Sequence, residues 1–225
     1  VISVLTACYG DYDVPWPAPR HEDVCTTMVS DSTDIMRAAL DNGWDNGVVH
    51  AIPHVHPRLA AKVPKCDPLR FMFDCPTDTI VWLDASAHVV DVDRFVEVVK
   101  SIRDSTPMAQ FVHPDRDDIL DEADASYKMP KYLGQPVTTQ AHLYTNRGLP
   151  RHSGLWATGM IVYHPQAYDH ETFGNAWLAE QLAWTYQDQI SEPYLLWQAG
   201  YHPTALPGNL RDNGFVEWMP HTRND

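Results

Sequence analysis

Runs of β-branched and aliphatic residues recur along the chain, separated by stretches whose apolar residues fall at helical spacing, and this alternation restricts the fold most. A strand that is apolar along its whole length must be covered on both faces, and helical returns between strands supply that cover. VISVLTA (1–7), VCTTMVS (24–30), VVHAI (48–52), TIVWLDAS (79–86) and MAQFVH (108–113) read as strands. Helices are predicted over about 33–42, over 57–65 with a break at Pro64, over 90–103 with Asp91 as cap, over 117–128 and over 173–186. LWATGMIVYHP (155–165) reads as a strand pair or one bent strand. A last helix over about 190–199 contains Pro193, which is tolerated near a helix start, so Asp188 and Gln189 are expected at its entrance. The expected fold is α/β, with a mostly parallel central sheet flanked by helices. VPWPAPR (14–20) is an extended loop, and residues 201–225, rich in Pro, Gly and Asn, are expected to wrap over the domain and close a site.

The chain has 225 residues, 44% of them hydrophobic, with no repeat and no linker-like segment, so one domain over 1–225 is expected. Lys plus Arg is 16 and Asp plus Glu is 30, giving 16 − 30 = −14. That sign opposes the attraction on which non-specific phosphate-backbone binding depends and rules down a nucleic-acid coat protein. A local basic pocket for one phosphate group is compatible with it. No apolar run reaches the roughly 20 residues of a membrane span. The cysteines at 8, 25, 66 and 75 form no C-x-x-C pair; buried, reduced thiols are expected, and with no signal-peptide pattern at the start the default compartment is cytoplasmic.

Three groups of residues carry candidate chemistry. Asp84 stands at the carboxyl end of a strongly hydrophobic strand, where open α/β sheets bind ligands. If that strand continues, Asp84, Ser86 and His88 point the same way and offer oxygen, oxygen and nitrogen to one cation. Lys62, Lys65 and Arg70 concentrate positive charge in an acidic chain and suit a diphosphate. Asp188 has the chemistry to take a proton from an acceptor hydroxyl, and Gln189 to orient a substrate by hydrogen bonds; capping of the helix explains Asp188 equally.

TACYGDYD (6–13), AAKVPKCDPLRF (60–71), TIVWLDAS (79–86), FVHPDRDDILDEA (111–123), QAHLYTNRGLP (140–150) and AWLAEQLAWTYQDQIS (176–191) stand in an order that resembles a glycosyltransferase-like domain family. That family was first catalogued as a domain of unknown function, and plant mucilage and turgor-regulation proteins are among its members. The resemblance covers most of residues 3–198 and implies a GT-A glycosyltransferase fold. It implies a nucleotide-sugar-binding half over 1–103, an acceptor and catalytic half over 104–200, and a UDP-sugar as the default donor. Thr6, Tyr9, Asp11, Asp31, Lys62, Lys65, Arg70, Asp84 and Arg116 are then the donor-binding candidates. Asp188 and Gln189 are the catalytic pair. A divalent ion, manganese or magnesium, is implied on Asp84, Ser86 and His221, with His202 as the second histidine candidate. Ser86 stands where the fold class usually has Asp, and Gln187 where the family's R-D-Q motif has Arg. Arg116 and Glu122 either hold donor hydroxyls or form a buried ion pair.

The resulting expectation is transfer of a sugar to a hydroxyl of a glycan, lipid, protein or hydroxylated DNA base, the last being the one role left to nucleic acid. The size fits a bacterial or phage enzyme. Two other classes compete: a non-catalytic sugar-nucleotide or glycan-binding module, motivated by Ser86 and Gln187, and a glycoside hydrolase using Asp84 and Asp188 as paired carboxylates.

Overall fold

The computed structural model describes residues 1–10, 12–103 and 105–220. Asp11 and His221, both singled out above, lie outside the described residues. The first half of the chain runs β1 (Ile2–Cys8), β2 (Val24–Ser30), α1 (Thr33–Asp41), β3 (Asn46–Val49), α2 (Pro57–Ala60), α3 (Lys62–Cys66), β4 (Thr79–Leu83), β5 (Ala87–Val89) and α4 (Val92–Ser101). The second half runs β6 (Met108–Val112), α5 (Ile119–Tyr127), α6 (Val137–Asn146), β7 (Trp156–Tyr163), α7 (Asn175–Ala183), α8 (Asp188–Ala199), β8 (Thr204–Ala205) and β9 (Val216–Trp218). Seven strands form one sheet in the order β3-β2-β1-β4-β7-β6-β8, and β5 pairs with β9 separately. Within the large sheet β7 alone runs against its neighbours β4 and β6, and the other pairings are parallel.

Alternation along the strands sorts the core into two layers. Leu5, Ala7, Ile80, Trp82, Ile161 and Tyr163 pack on one face against Ala123 of α5, Tyr144 of α6, Trp177 of α7 and Ile190 of α8. Val4, Cys8, Val81, Leu83, Met160 and Val162 pack on the other against Ile35 and Ala39 of α1 and Phe95 and Val99 of α4. Helix starts are fixed locally: the side chains of Ser32, Asp91 and Asp118 accept from the backbone N–H groups of Ile35, Arg94 and Leu120. At the far end of α8, Gly200 adopts the left-handed conformation, φ 67°, that closes a helix without a Cβ penalty.

Several expectations are corrected. The strand of 79–86 stops at Leu83: Ala87 N–H donates to Asp84 C=O at 2.8 Å, closing a turn, and β5 belongs to the other sheet. Asp84, Ser86 and His88 therefore share no strand face. His88 instead stacks on Trp16, with ring centroids 5.4 Å apart. The helix of 57–65 breaks at Ala61 rather than Pro64, which sits in the first turn of α3, where its missing N–H has no intrahelical partner to lose. The third strand is Asn46–Val49 and leaves the sheet before Pro53. The 155–165 region is a single strand whose register with β6 shifts between Gln110 and Phe111. Helix α6, weakly amphipathic, was not foreseen.

The cysteines are also corrected. Cys25 on β2 and Cys75 form a disulfide, and Cys8 and Cys66 are buried thiols outside it. The spacing of 50 residues carried no pairing signal, because β2 and the segment before β4 meet only through the sheet. A reducing cytosol opens such a bond, so the cysteine count gives no support to a cytoplasmic compartment. No helix among the described residues is long and apolar enough to cross a membrane.

Candidate active-site cleft

Strand order reverses direction between β1 and β4, since β2 and β3 extend the sheet on one side of β1 and β4 begins the other. Open α/β sheets leave a crevice at the carboxyl ends of such a strand pair, because the connecting chains depart to opposite sides. A cleft of about 250 Å³ lies there. Ala7, Cys8 and Tyr9 enter it from the end of β1, Trp82 and Asp84 from β4, and Ala157, Thr158 and Gly159 from the start of antiparallel β7. The tail contributes Leu210 and Trp218. Gly159 is required by that contact: a Cβ there would stand 2.8 Å from Trp218 Nε1.

Charge is unevenly placed around this cleft. Arg58, Lys62, Lys65 and Lys131 line it, against Asp13, Asp84 and Asp188, a local sum of 4 − 3 = +1 in a chain of net charge −14. Lys62 and Lys65 both donate to Asp188 Oδ2 at 2.6 Å, and Lys65 reaches Asp84 Oδ1 at 3.4 Å. Trp82 Nε1 donates to the same Asp84 oxygen at 2.8 Å. Lys65 is 1% exposed and Asp188 6% in their side chains, whereas Asp84 is 41% exposed. Burial alone would raise the Asp188 carboxyl, but Lys62 and Lys65 hold it well below the usual carboxylate range. Burial likewise would lower Lys65, and the Asp188 and Asp84 carboxylates hold it above the usual lysine value. At Lys131 the balance falls the other way: burial, then Arg58 and Lys62, push it down against the weaker pull of Asp188 and Asp84.

Asp188 and Gln189 are the first residues of α8, as expected. Gln187, just before them, is pinned on both sides. Its Nε2 donates to Glu122 Oε1 at 2.7 Å, and its Oε1 accepts from the Tyr132 hydroxyl, a cleft residue, at 2.9 Å. Glu122 Oε2 in turn accepts from Arg116 Nε at 2.6 Å. Arg116 and Glu122 thus form an ion pair in which Glu122 is buried and Arg116 is partly exposed, off the cleft lining. Gln189 Nε2 is spent on Trp156 C=O at 3.0 Å, which leaves its amide oxygen for a hydroxyl.

Tyr9, Lys62, Lys65, Asp84, Asp188 and Gln189 thus meet in one cleft. Tyr9 is 3% exposed and hydrogen-bonds His50 Nδ1 at 2.8 Å. The other candidates lie elsewhere. Thr6 points to the opposite side of β1, into a small crevice with Trp16 and Trp44. Asp31 accepts from Gly10 N–H at 3.1 Å outside the cleft lining, and Arg70 is exposed near Tyr9 and His50. Ser86 is buried behind the turn, and His202 is exposed and off the lining. Arg58, Lys131, Tyr132 and Tyr186 were missed. Arg58 had a signal, since Arg58, Lys62 and Lys65 recur at i, i+4, i+7; Lys131 had none, its loop reaching the cleft only through the fold.

For the divalent ion, Asp84 offers one carboxylate. Among the described residues no three His, Cys, Asp or Glu side chains come together to hold a metal. His221, the histidine expected on the ion, lies outside the described residues.

Solved structures show the same architecture. A bifunctional glycosyltransferase, WbbM, superposes with a TM-score of 0.54 at 11% identity, over 92% of this chain and 38% of its own. The glycosyltransferase GlyE of Streptococcus pneumoniae TIGR4 gives 0.50 at 10% identity, over 91% of this chain and 45% of its own. This chain spans less than half the length of either. Comparison with curated proteins gives no match. The description "TOD1/MUCI70, glycosyltransferase-like domain" matches residues 4–204. With a GT-A architecture, a cleft at the strand switch point and a family match over most of its length, the chain belongs to the TOD1/MUCI70 glycosyltransferase-like domain family.

Proposed function

We propose that the cleft binds a nucleotide-sugar, a UDP-sugar by the default of the fold, and transfers its sugar to a hydroxyl-bearing acceptor. The observation that carries this reading is the convergence of Arg58, Lys62, Lys65 and Lys131 on a crevice at the β1–β4 switch point of an otherwise acidic chain. Fixed cations in a low-dielectric cleft stabilise the negative charge that develops on a departing nucleoside diphosphate, and they need no reorganisation as the bond breaks. Lys62 and Lys65 are held in place by Asp188. An ionised carboxylate shared by two ammonium groups is a poor proton acceptor, so Asp188 serves as the counter-charge that positions the lysines. Gln189 offers its amide oxygen to a sugar or acceptor hydroxyl.

The hydrolase alternative requires one carboxyl group that holds a proton at working pH. Asp188 is kept ionised and Asp84 shares Lys65 with it, which gives that reading no support.

The test is calorimetric binding of UDP and of GDP, each with and without manganese, followed by product detection from the matching nucleotide-sugars. Binding of one nucleotide, weakened at least tenfold by Lys62→Ala, is the expected result. Manganese-dependent binding would assign the ion to Asp84 together with groups outside the described residues. No binding of either nucleotide would overturn the proposal, and binding without turnover on any acceptor would favour the non-catalytic module.

A further inference from the structure

Glu192 lies one helical turn beyond Asp188 on α8, is fully buried, and has no part in the transfer proposed above. Gln110 on β6, equally buried, donates from Nε2 to Glu192 Oε1 at 2.7 Å. The remaining oxygen of each side chain, Glu192 Oε2 and Gln110 Oε1, is buried without a hydrogen-bond partner. An ionised carboxylate has only acceptors, so this pair is short of one hydrogen; a carboxylic acid carries it. A proton on Oε2 lets each side chain donate once and accept once, and removes both orphans together. Leaving two acceptors unpaired in the core would cost their full desolvation.

The surroundings act in the same direction. Burial, and then the Asp188 carboxylate, push Glu192 up to about 8 against the opposing pull of the Gln110 amide, Lys65 and Lys62. From the other elements near it, Cys66 and the phenols of Tyr163 and Tyr168 are all pushed above their ordinary values by burial, so they add no charge.

We propose that Glu192 is a neutral carboxylic acid at physiological pH and that its proton sets the anion affinity of the cleft. With the proton in place, Lys62, Lys65, Asp84 and Asp188 sum to zero, and Lys65 divides its charge between two carboxylates. Release of that proton to solvent leaves a third carboxylate in the field of Lys65 and turns this group of charges, with Glu192 counted, to −1, which opposes a diphosphate. The affinity part rests on the nucleotide-sugar reading above; the protonation part does not.

The experiment measures UDP binding to wild type and to Glu192→Gln, which keeps the size and neutrality of the acid. Titrations run from about pH 7 to about pH 9.5, a range in which a phosphate with its second pKa about 6 keeps its charge. Wild-type affinity is expected to fall about tenfold more than that of the variant across this range, the equivalent of one pKa unit of coupling. Any loss from Lys131 is common to both proteins and cancels. Parallel curves would overturn the affinity role. Separately, infrared spectroscopy of the ligand-free proteins should show a protonated-carboxyl carbonyl band in wild type at neutral pH that titrates away near pH 8 and is missing from Glu192→Gln. Absence of that band in wild type overturns the proposal whether or not the variant folds. A band without UDP binding at any pH keeps the proton on Glu192 and overturns the nucleotide reading instead.

Discussion

Removing the Cys25–Cys75 disulfide by a double change to serine should cost this chain a large part of its stability. The bond closes a loop with a sequence separation of 50. Loop-closure entropy of the unfolded chain for that length is about 14 cal/mol/K, or roughly 4 kcal/mol at 25 °C. For a domain of this size each kcal/mol moves the melting temperature by about 2–4 °C, so the shift is expected at roughly 8–16 °C. Native packing should change little, since Ser3 Oγ also holds the 72–78 segment through Pro76 C=O. The assay is thermal unfolding by circular dichroism of oxidised wild type, of wild type with a reductant, and of Cys25→Ser/Cys75→Ser, with a thiol count on unreduced, denatured wild type. Two thiols, from Cys8 and Cys66, are expected. Four thiols in protein made under oxidising conditions would refute the pairing, and a shift below about 2 °C with the bond proven present would refute the entropic reasoning.

Other changes test the cleft. Asp188→Asn leaves two ammonium groups facing each other, Lys65 fully buried, and should cost about 3–5 kcal/mol in denaturant unfolding. Because the folded Asp188 is held below its ordinary range, it contributes stability above the unfolded carboxylate value near about 3.9 and loses it as pH falls further. The variant should therefore show a shallower acid decline than wild type; identical acid profiles would count against the shared ion pair. Glu192 has the opposite sign. Its raised folded pKa gives stability that is complete below the unfolded glutamate value and is lost as pH rises toward about 8, so Glu192→Gln should gain on wild type at alkaline pH in the same measurement. Gly159→Ala places a Cβ against Trp218 and should cost about 1–3 kcal/mol with a change in tryptophan fluorescence. Unchanged emission and stability would mean the tail does not pack on β7.

The periodic core was legible because it depends on neighbours a few residues apart. Strands β1, β2, β4 and β6 and helices α1, α4 and α5 follow from local alternation, spacing and, for α4, the cap Asp91, and each lies within a few residues of its expected bounds. Asp188 and Gln189 do open α8, but not for the reason read from Pro193, which stands inside the helix as its sixth residue and not near its start. Helix α6 escaped because its buried face, Val137, Gln140, Ala141 and Tyr144, includes a polar side chain and so carries little hydrophobic signal, and Arg58 escaped although its spacing from Lys62 and Lys65 was readable.

What the sequence by itself determined is therefore the layered α/β class and the family, both written in local periodicity and ordered motifs. Only the tertiary structure decided which charges meet. Lys62 and Asp188 are 126 residues apart, Gln110 and Glu192 are 82 apart, and Cys25 and Cys75 are 50 apart. Residue type says what each group can bond to, but the sheet order that turns at β1–β4 fixes which partners lie within reach. Asp84 illustrates the difference: the sequence placed it at a strand end, and the turn at Ala87 then separated it from Ser86 and His88 and left it to Lys65 and Trp82.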